Sequence, residues 1–222
     1  MSASNPDLYA AVEHTFYDIV SSQLCIHYMF DKRDNVNNLL LNSLENLLVG
    51  GFLLLTIPDS LTIVKKIREL GERKGDYYIY GNDFFSMRFR NREFDRANGC
   101  YGLEYGFYLR EAIGEKDPET GEIKYVNEYL IELENFELLL NRYNMKVVES
   151  VNFIEFYKQN KDKYQSLFDN FKLRFSEGQS IRKEFWDIAH CYRVVVAQKV
   201  VGRETRDFTI SKRNEPLKHN CH

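Results

Sequence analysis

FLLLTIPDSLTIVKKIREL, residues 52–70, holds the two periodicities that decide the fold. From Phe52 to Pro58 the run is apolar but for Thr56, the pattern of a strand covered on both faces, as in a parallel sheet. Asp59 or Ser60 can then accept from the unpaired N–H groups of a helix's first turn. The helix through Leu70 sets Ile63, Val64 and Ile67 inward and leaves Lys65, Lys66 and Arg68 toward solvent.

On the N-terminal side, YDIVSSQL at 17–24 predicts another buried strand. Asp34 can cap the next segment, in which Leu39, Leu40, Leu44, Leu47 and Leu48 recur at helical spacing, predicting an amphipathic helix from Val36 that Gly50 and Gly51 terminate. Strand, helix, strand, helix argues for a doubly wound α/β sheet. On the C-terminal side, residues 71–128 change character, rich in Tyr, Phe, Gly and charge, with strands expected near 77–90 and 101–109. The DPETGE run at 117–122 reads as an exposed turn. A helix from Asn135 to Tyr143 ends at Asn144 and a strand, MKVVESVNF, comes next. Helical stretches fill 155–190, and YRVVVAQKV at 192–200 is a last strand. The two late strands suit an antiparallel pair closing one edge of the sheet.

The 222 residues are 44% hydrophobic and 28% charged, enough to bury one sizeable core. A formal charge of −3 means that no whole-molecule positive field draws the chain to nucleic acid or to a membrane, so any RNA contact must come from a local patch. Cys25, Cys100, Cys191 and Cys221 lack the paired spacing of a metal site or redox dithiol and read as free, reduced thiols. No stretch approaches the roughly 20 apolar residues that span a bilayer, and the N-terminus lacks a signal-peptide pattern. These features predict an intracellular protein without metal or membrane partners. Residues 202–222 turn polar and basic and read as a flexible tail.

YDIVSSQLCIHYMF, Tyr17 to Phe30, resembles the strand-to-loop motif of cap guanine-N7 methyltransferases, whose core is Gln-Phe-x-x-His-Tyr and which here reads Gln23, Leu24, Cys25, Ile26, His27, Tyr28. The resemblance continues in order through GGFLLLTIPDSLTIVKKIRE, YGLEYGFYLREAI (101–113), VNEYLI (126–131), YNMKVVESVNFIEFY (143–157) and FWDIAHCYRVVVAQK (185–199). It covers about residues 16–200. Two departures stand out. Leu24 replaces Phe, a mild apolar swap at a position expected to be buried. The family's opening unit, a Gly-rich loop after the first strand and an acidic residue ending the second, has no counterpart before Tyr17.

The resemblance implies a Rossmann-like, S-adenosylmethionine-dependent methyltransferase fold, present as its C-terminal portion over 1–201, with 71–128 as an inserted cap-side region. It implies transfer of a methyl group from S-adenosylmethionine to N7 of the terminal guanine of capped RNA. No catalytic acid or base is expected, because N7 offers a lone pair and carries no proton, and the task is alignment. By resemblance Glu128 accepts from guanine N1 and its exocyclic amine, a role suited to an acceptor-only carboxylate. His27, Tyr28 and Tyr192 complete the guanine site, while Gln23 and Tyr28 line the cofactor side. Lys65, Lys66 and Arg68 either meet the triphosphate or RNA or form an ordinary solvated helix face. The missing opening unit leaves two further readings: a noncatalytic cap-binding or stimulatory subunit, with a second chain supplying the absent half, and a methyltransferase for a small molecule. Capping chemistry points to the nucleus, and a cytoplasmic or viral setting fits the same residues.

Overall fold

The computed structural model describes residues 16–92, 100–172 and 183–201. Strand β1, Tyr17–Gln23, runs into a 3-10 turn, Ile26–Asp31, and helix α1, Arg33–Leu44. Strand β2, Leu47–Pro58, leads directly into α2, Ser60–Leu70. Five short strands come next, β3 (Glu72–Lys74), β4 (Tyr77–Gly81), β5 (Phe85–Phe89), β6 (Glu104–Leu109) and, past the small hairpin of β7 (Glu115–Lys116) and β8 (Ile123–Lys124), β9 (Val126–Tyr129). Then come α3 (Leu133–Arg142), β10 (Met145–Asn152), α4 (Phe153–Asn160), α5 (Gln165–Lys172), α6 (Lys183–Ala189) and β11 (Tyr192–Lys199).

These strands form two principal sheets. The first has the order β1-β2-β11-β10, with β1 and β2 parallel and β11 antiparallel to both its neighbours. The expected antiparallel pair is therefore present, and it is β11 that joins it to the parallel strands. The second sheet, β3-β4-β5-β6-β9, is antiparallel throughout and accounts for the aromatic stretch after residue 70. The DPETGE segment is the turn between β7 and β8, where the Asp117 carboxylate accepts from the N–H groups of Glu119 and Thr120. The tail at 202–222 lies outside the described residues.

Two apolar cores result from this layout. The first packs α1 and α3 on one face of the mixed sheet, through Leu40, Leu44, Phe136 and Leu140 against Leu53, Leu55, Ile57 and Val195. The second packs Ile63 and Ile67 of α2 on the inner face of the antiparallel sheet, among Phe85, Met87, Phe89 and Phe107. Asp59 ties the two together. Its Oδ1 caps α2 by accepting from Thr62 N–H at 3.2 Å, worth about 1 kcal/mol at such a cap. Its Oδ2 accepts from Asn152 at the end of β10 and pairs with Arg193 of β11 at 3.2 Å. Asp59 is fully buried, so removing Arg193 would leave an uncompensated charge.

Four local expectations are corrected. β2 is not sandwiched: Leu53, Leu55 and Ile57 are buried while Phe52, Leu54 and Thr56 are only half-buried, so one face carries the packing. Gly50 and Gly51 do not end a helix. They lie inside β2, where Gly50 takes a φ of 86° and a Cβ on Gly51 would fall 2.8 Å from the Asp18 carbonyl of β1. Asp34 does not cap α1, which starts at Arg33 and leaves Asp34 in its first turn. Finally, β1 is an exposed strand rather than a buried one. Among the described residues it pairs only with β2, and Tyr17 and Ile19 are solvent-accessible.

Candidate functional site

The site begins where β1 ends. Because β1 and β2 are parallel, with Val20 beside Leu53 and Gln23 beside Thr56, their carboxyl ends open on one side, the side on which open α/β sheets bind ligands. Leu24 leaves β1 with a φ of 53°, a left-handed backbone that a Leu adopts only where its surroundings enforce it. Here Thr56 does so, accepting the Leu24 N–H through its carbonyl at 3.0 Å and its Oγ1 at 2.9 Å. The expectation of a buried Leu24 is thereby corrected, since the side chain is 46% exposed. The kink feeds the 3-10 turn, whose Ile26 and Phe30 anchor in the first core. His27 and Tyr28 are left to meet β9.

On β9, Glu128 stands directly across from Tyr105 of β6. It is 2% exposed, a carboxylate almost wholly removed from water and so in need of compensating donors. Tyr28 donates its hydroxyl to Oε1 at 2.9 Å and Tyr105 donates to Oε2 at 2.5 Å. His27 Nε2 approaches Oε1 at 3.4 Å without the direction of a hydrogen bond, and neither nitrogen of this buried ring has a hydrogen-bond partner. The imidazole lies against the Tyr28 ring, with centroids 4.3 Å apart.

Tyr192 opens β11, opposite Pro58 of β2, and its ring lies 5.8 Å from that of Phe153. Burial first, and then the Glu128 carboxylate, push the hydroxyls of Tyr28, Tyr105 and Tyr192 above the ordinary phenol range. All three therefore keep their protons at neutral pH, and Tyr28 and Tyr105 donate hydrogen bonds to Glu128. Beside them the Cys191 thiol is buried and pushed up to about 12, which makes it inert.

The structure thus brings His27, Tyr28 and Glu128 into contact and sets Tyr192 where it feels the Glu128 carboxylate. Gln23 stands apart: it is exposed, and its Nε2 donates to Ser21 Oγ at 2.9 Å and to the Leu54 carbonyl at 3.2 Å. Of the basic residues on α2, Lys65 is exposed, Lys66 leans over the Tyr80 ring at 5.3 Å, and Arg68 donates from Nε to the Arg92 carbonyl. Tyr105 is the site residue that sequence reasoning missed. Alternation within EYGFYL could have put it on the inner face, but its pairing with Glu128 is a matter of register between strands far apart in the chain. Among the described residues no group of three potential metal ligands converges, and no helix is long and apolar enough to cross a membrane.

The sequence profile of the mRNA (guanine-N(7))-methyltransferase domain matches residues 4–200. Over 166 residues the chain is 32% identical to the mRNA cap guanine-N(7) methyltransferase of Schizosaccharomyces pombe, an alignment covering 73% of this chain and 42% of that protein. With the enzyme of the same name from Candida glabrata it shares 31% identity over 196 residues, 82% of this chain and 43% of that one. The chain spans less than half the length of these two relatives.

Proposed function

We propose that this chain, which belongs to the mRNA (guanine-N(7))-methyltransferase family, reads the terminal guanine of capped RNA for methylation at N7, with Glu128 as the reader. The observation that carries this reading is a buried carboxylate held by two phenols beside an imidazole whose nitrogens lack partners. An ionised carboxylate has about four acceptor positions. Tyr28 and Tyr105 occupy one on each oxygen and fix the plane of the group. The remaining positions suit two donors side by side, as guanine N1–H and its exocyclic amine are. Adenine presents an acceptor at N1 and no amine at C2, so the same carboxylate rejects it. One His27 ring N–H, buried and unpaired, calls for an acceptor such as guanine O6. Tyr192 lies within reach of the Glu128 charge, its ring beside that of Phe153.

N7 is nucleophilic without deprotonation, so holding the base in line and dry is the catalytic contribution. Guanine becomes cationic on methylation, and a buried carboxylate favours that change. In the whole protein S-adenosylmethionine supplies the methyl group on a sulfonium centre. The described residues fit that cofactor incompletely: the amide nitrogen of Gln23, the residue assigned to its adenosyl part, is engaged by Ser21 Oγ and the Leu54 carbonyl. A second reading, a noncatalytic cap-binding or stimulatory subunit completed by another chain, draws support from this incomplete fit. Capped RNA is the substrate or ligand on either reading, and the nucleus is where capping chemistry puts it.

Calorimetric titration of the chain with GpppG, ApppA and S-adenosylmethionine separates the readings. GpppG binding with ApppA rejected is the expected result. Equal affinity for the two dinucleotides would remove Glu128 as a guanine reader. Cofactor binding without any GpppG binding would favour a methyltransferase of another substrate.

A further inference from the structure

The antiparallel sheet has a second face, turned away from α2, and its composition is unlike that of a solvated surface. Cross-strand register sets Ile79, Arg88, Gly106 and Asn127 in one row across β4, β5, β6 and β9. Arg88 lies between two rings in this row, its Cζ 4.5 Å from the centroid of Tyr77 and 4.4 Å from that of Tyr125. Arg90, two residues on, approaches the same Tyr77 ring at 6.0 Å. Tyr125 is fixed in turn by Ser86, hydroxyl to hydroxyl at 2.8 Å. Gly106 makes room for this stack: a Cβ there would stand 2.9 Å from Tyr125 Cβ and 3.3 Å from Arg88 Nε. A groove of about 350 Å³ runs beside the stack, bounded by Tyr77, Arg88, Arg90, Asn91, Glu104 and Asn127.

Among the described residues neither Arg88 nor Arg90 has a carboxylate within ion-pair distance. Among the described rim residues the one acid is Glu104, which interacts with the Tyr129 phenol. Arg88 is thus immobilised without being neutralised. Two rings hold its planar group by cation–π contact, and its N–H donors retain no fixed acceptor. Fixing an arginine in advance lowers the entropy lost when an anion binds. A lone phosphate would need only the charge. The alternation of aromatic faces, guanidinium planes and an asparagine amide along an open antiparallel sheet suits instead a flexible strand of bases and phosphates, stacked and paired at once.

We propose that this outer face binds single-stranded RNA, contacting the nucleotides beyond the cap through Arg88, Arg90 and Tyr77. The identity of the strand as capped message rests on the function proposed above; the RNA site itself does not. It also explains how a chain of net charge −3 would hold RNA, through a local patch rather than an overall field.

The test uses the full 222-residue chain and a labelled, 5′-hydroxyl decauridylate, followed by anisotropy at several salt concentrations, with GpppG titrated in parallel. The double variant Arg88→Ala/Arg90→Ala should weaken decauridylate binding by about tenfold or more and flatten the logarithmic salt slope by about 1.4, the value for two lost phosphate contacts on a single strand. Tyr77→Ala should weaken it about 5- to 100-fold through lost stacking. Arg88→Lys, which keeps charge but not the planar stack, should fall between. GpppG affinity and the thermal midpoint should stay as in the parent, which excludes misfolding as the cause. Lys65→Ala on α2 should change RNA affinity less than about twofold. The proposal is overturned if the parent chain fails to bind decauridylate, if the double variant binds it equally well, or if tripolyphosphate at the same phosphate concentration displaces it completely. Loss of GpppG binding in the parent, with the arginine effect on decauridylate intact, would instead refute the cap-reading function and leave the RNA site standing.

Discussion

Replacing Glu128 by Gln changes one atom's chemistry inside a 2% exposed site and keeps its volume. The parent carboxylate accepts from Tyr28 at 2.9 Å and from Tyr105 at 2.5 Å. The amide retains one acceptor, while its NH2 faces either a phenol, which can rotate to accept, or the guanine amine, which cannot. Folding should lose only about 1 kcal/mol, the difference between a charge-assisted and a neutral hydrogen bond. Guanine recognition should lose more, because one donor of the base then meets a donor and the charge is gone: about 2–4 kcal/mol, or about 30- to 1000-fold in GpppG affinity. Glu128→Ala is the harsher change. It leaves the buried Tyr105 phenol without its acceptor, at about 1–3 kcal/mol, and the half-buried Tyr28 phenol at less, and its thermal midpoint must be measured first. Calorimetry with GpppG on the folded Gln variant decides the matter. Parental affinity there would refute the assignment of Glu128 as the guanine reader.

Tyr105→Phe should weaken GpppG binding about 5- to 20-fold by releasing one oxygen of Glu128, with the loss absent when Glu128 is already Gln; independent, additive effects in that double-mutant cycle would count against a positioning role. Alkali should destabilise the chain. Tyr105 and Tyr192 have raised pKa values, so above about pH 10 the unfolded chain releases phenolic protons that the folded one retains. Their contribution is whole below that pH, and each removes up to about 1.4 kcal/mol per unit above it; urea midpoints flat from pH 9 to 11 would contradict this. Thiol titration at pH 8 should modify exposed Cys25 rapidly and Cys191 only on unfolding, since burial pushes the latter up to about 12; prompt reaction of Cys191, identified by peptide mass, would mean that this end of β11 opens readily.

Much of the frame was legible along the chain because it depends on local periodicity. The strand ending at Pro58, the Asp59 cap and the helix to Leu70 are all set by residues within one or two turns of each other. The misreadings came where tertiary context overrides local pattern. Leu47 and Leu48 continue the helical spacing of α1, yet they belong to β2 because pairing with β1 and β11 claims that strand. The apolar content of β1 suggested burial, but burial depends on what lies against a strand, and β1 has β2 alone among the described residues. His27, Tyr28, Glu128 and Tyr192 were reached through resemblance; neither spacing nor composition would have put them together. Tyr105 and the Arg88 stack escaped for the same reason. Each is defined by which residue of another strand lies opposite, and register is invisible in a single strand's sequence.

Tyr28 meets Glu128 across 100 residues of chain, one beside the first core and the other beside the second. Closing so long a loop is entropically unfavourable. The pocket consequently exists only when both halves have consolidated, and a molecule with either core melted has nothing with which to grip a base. A guanine nucleotide would then behave as a rivet. Held at about a hundred times its dissociation constant it adds about 2.7 kcal/mol against every opening that parts the two sheets, so amide protons in α2 and α3, which pack in different cores, should slow in exchange together when the nucleotide is present.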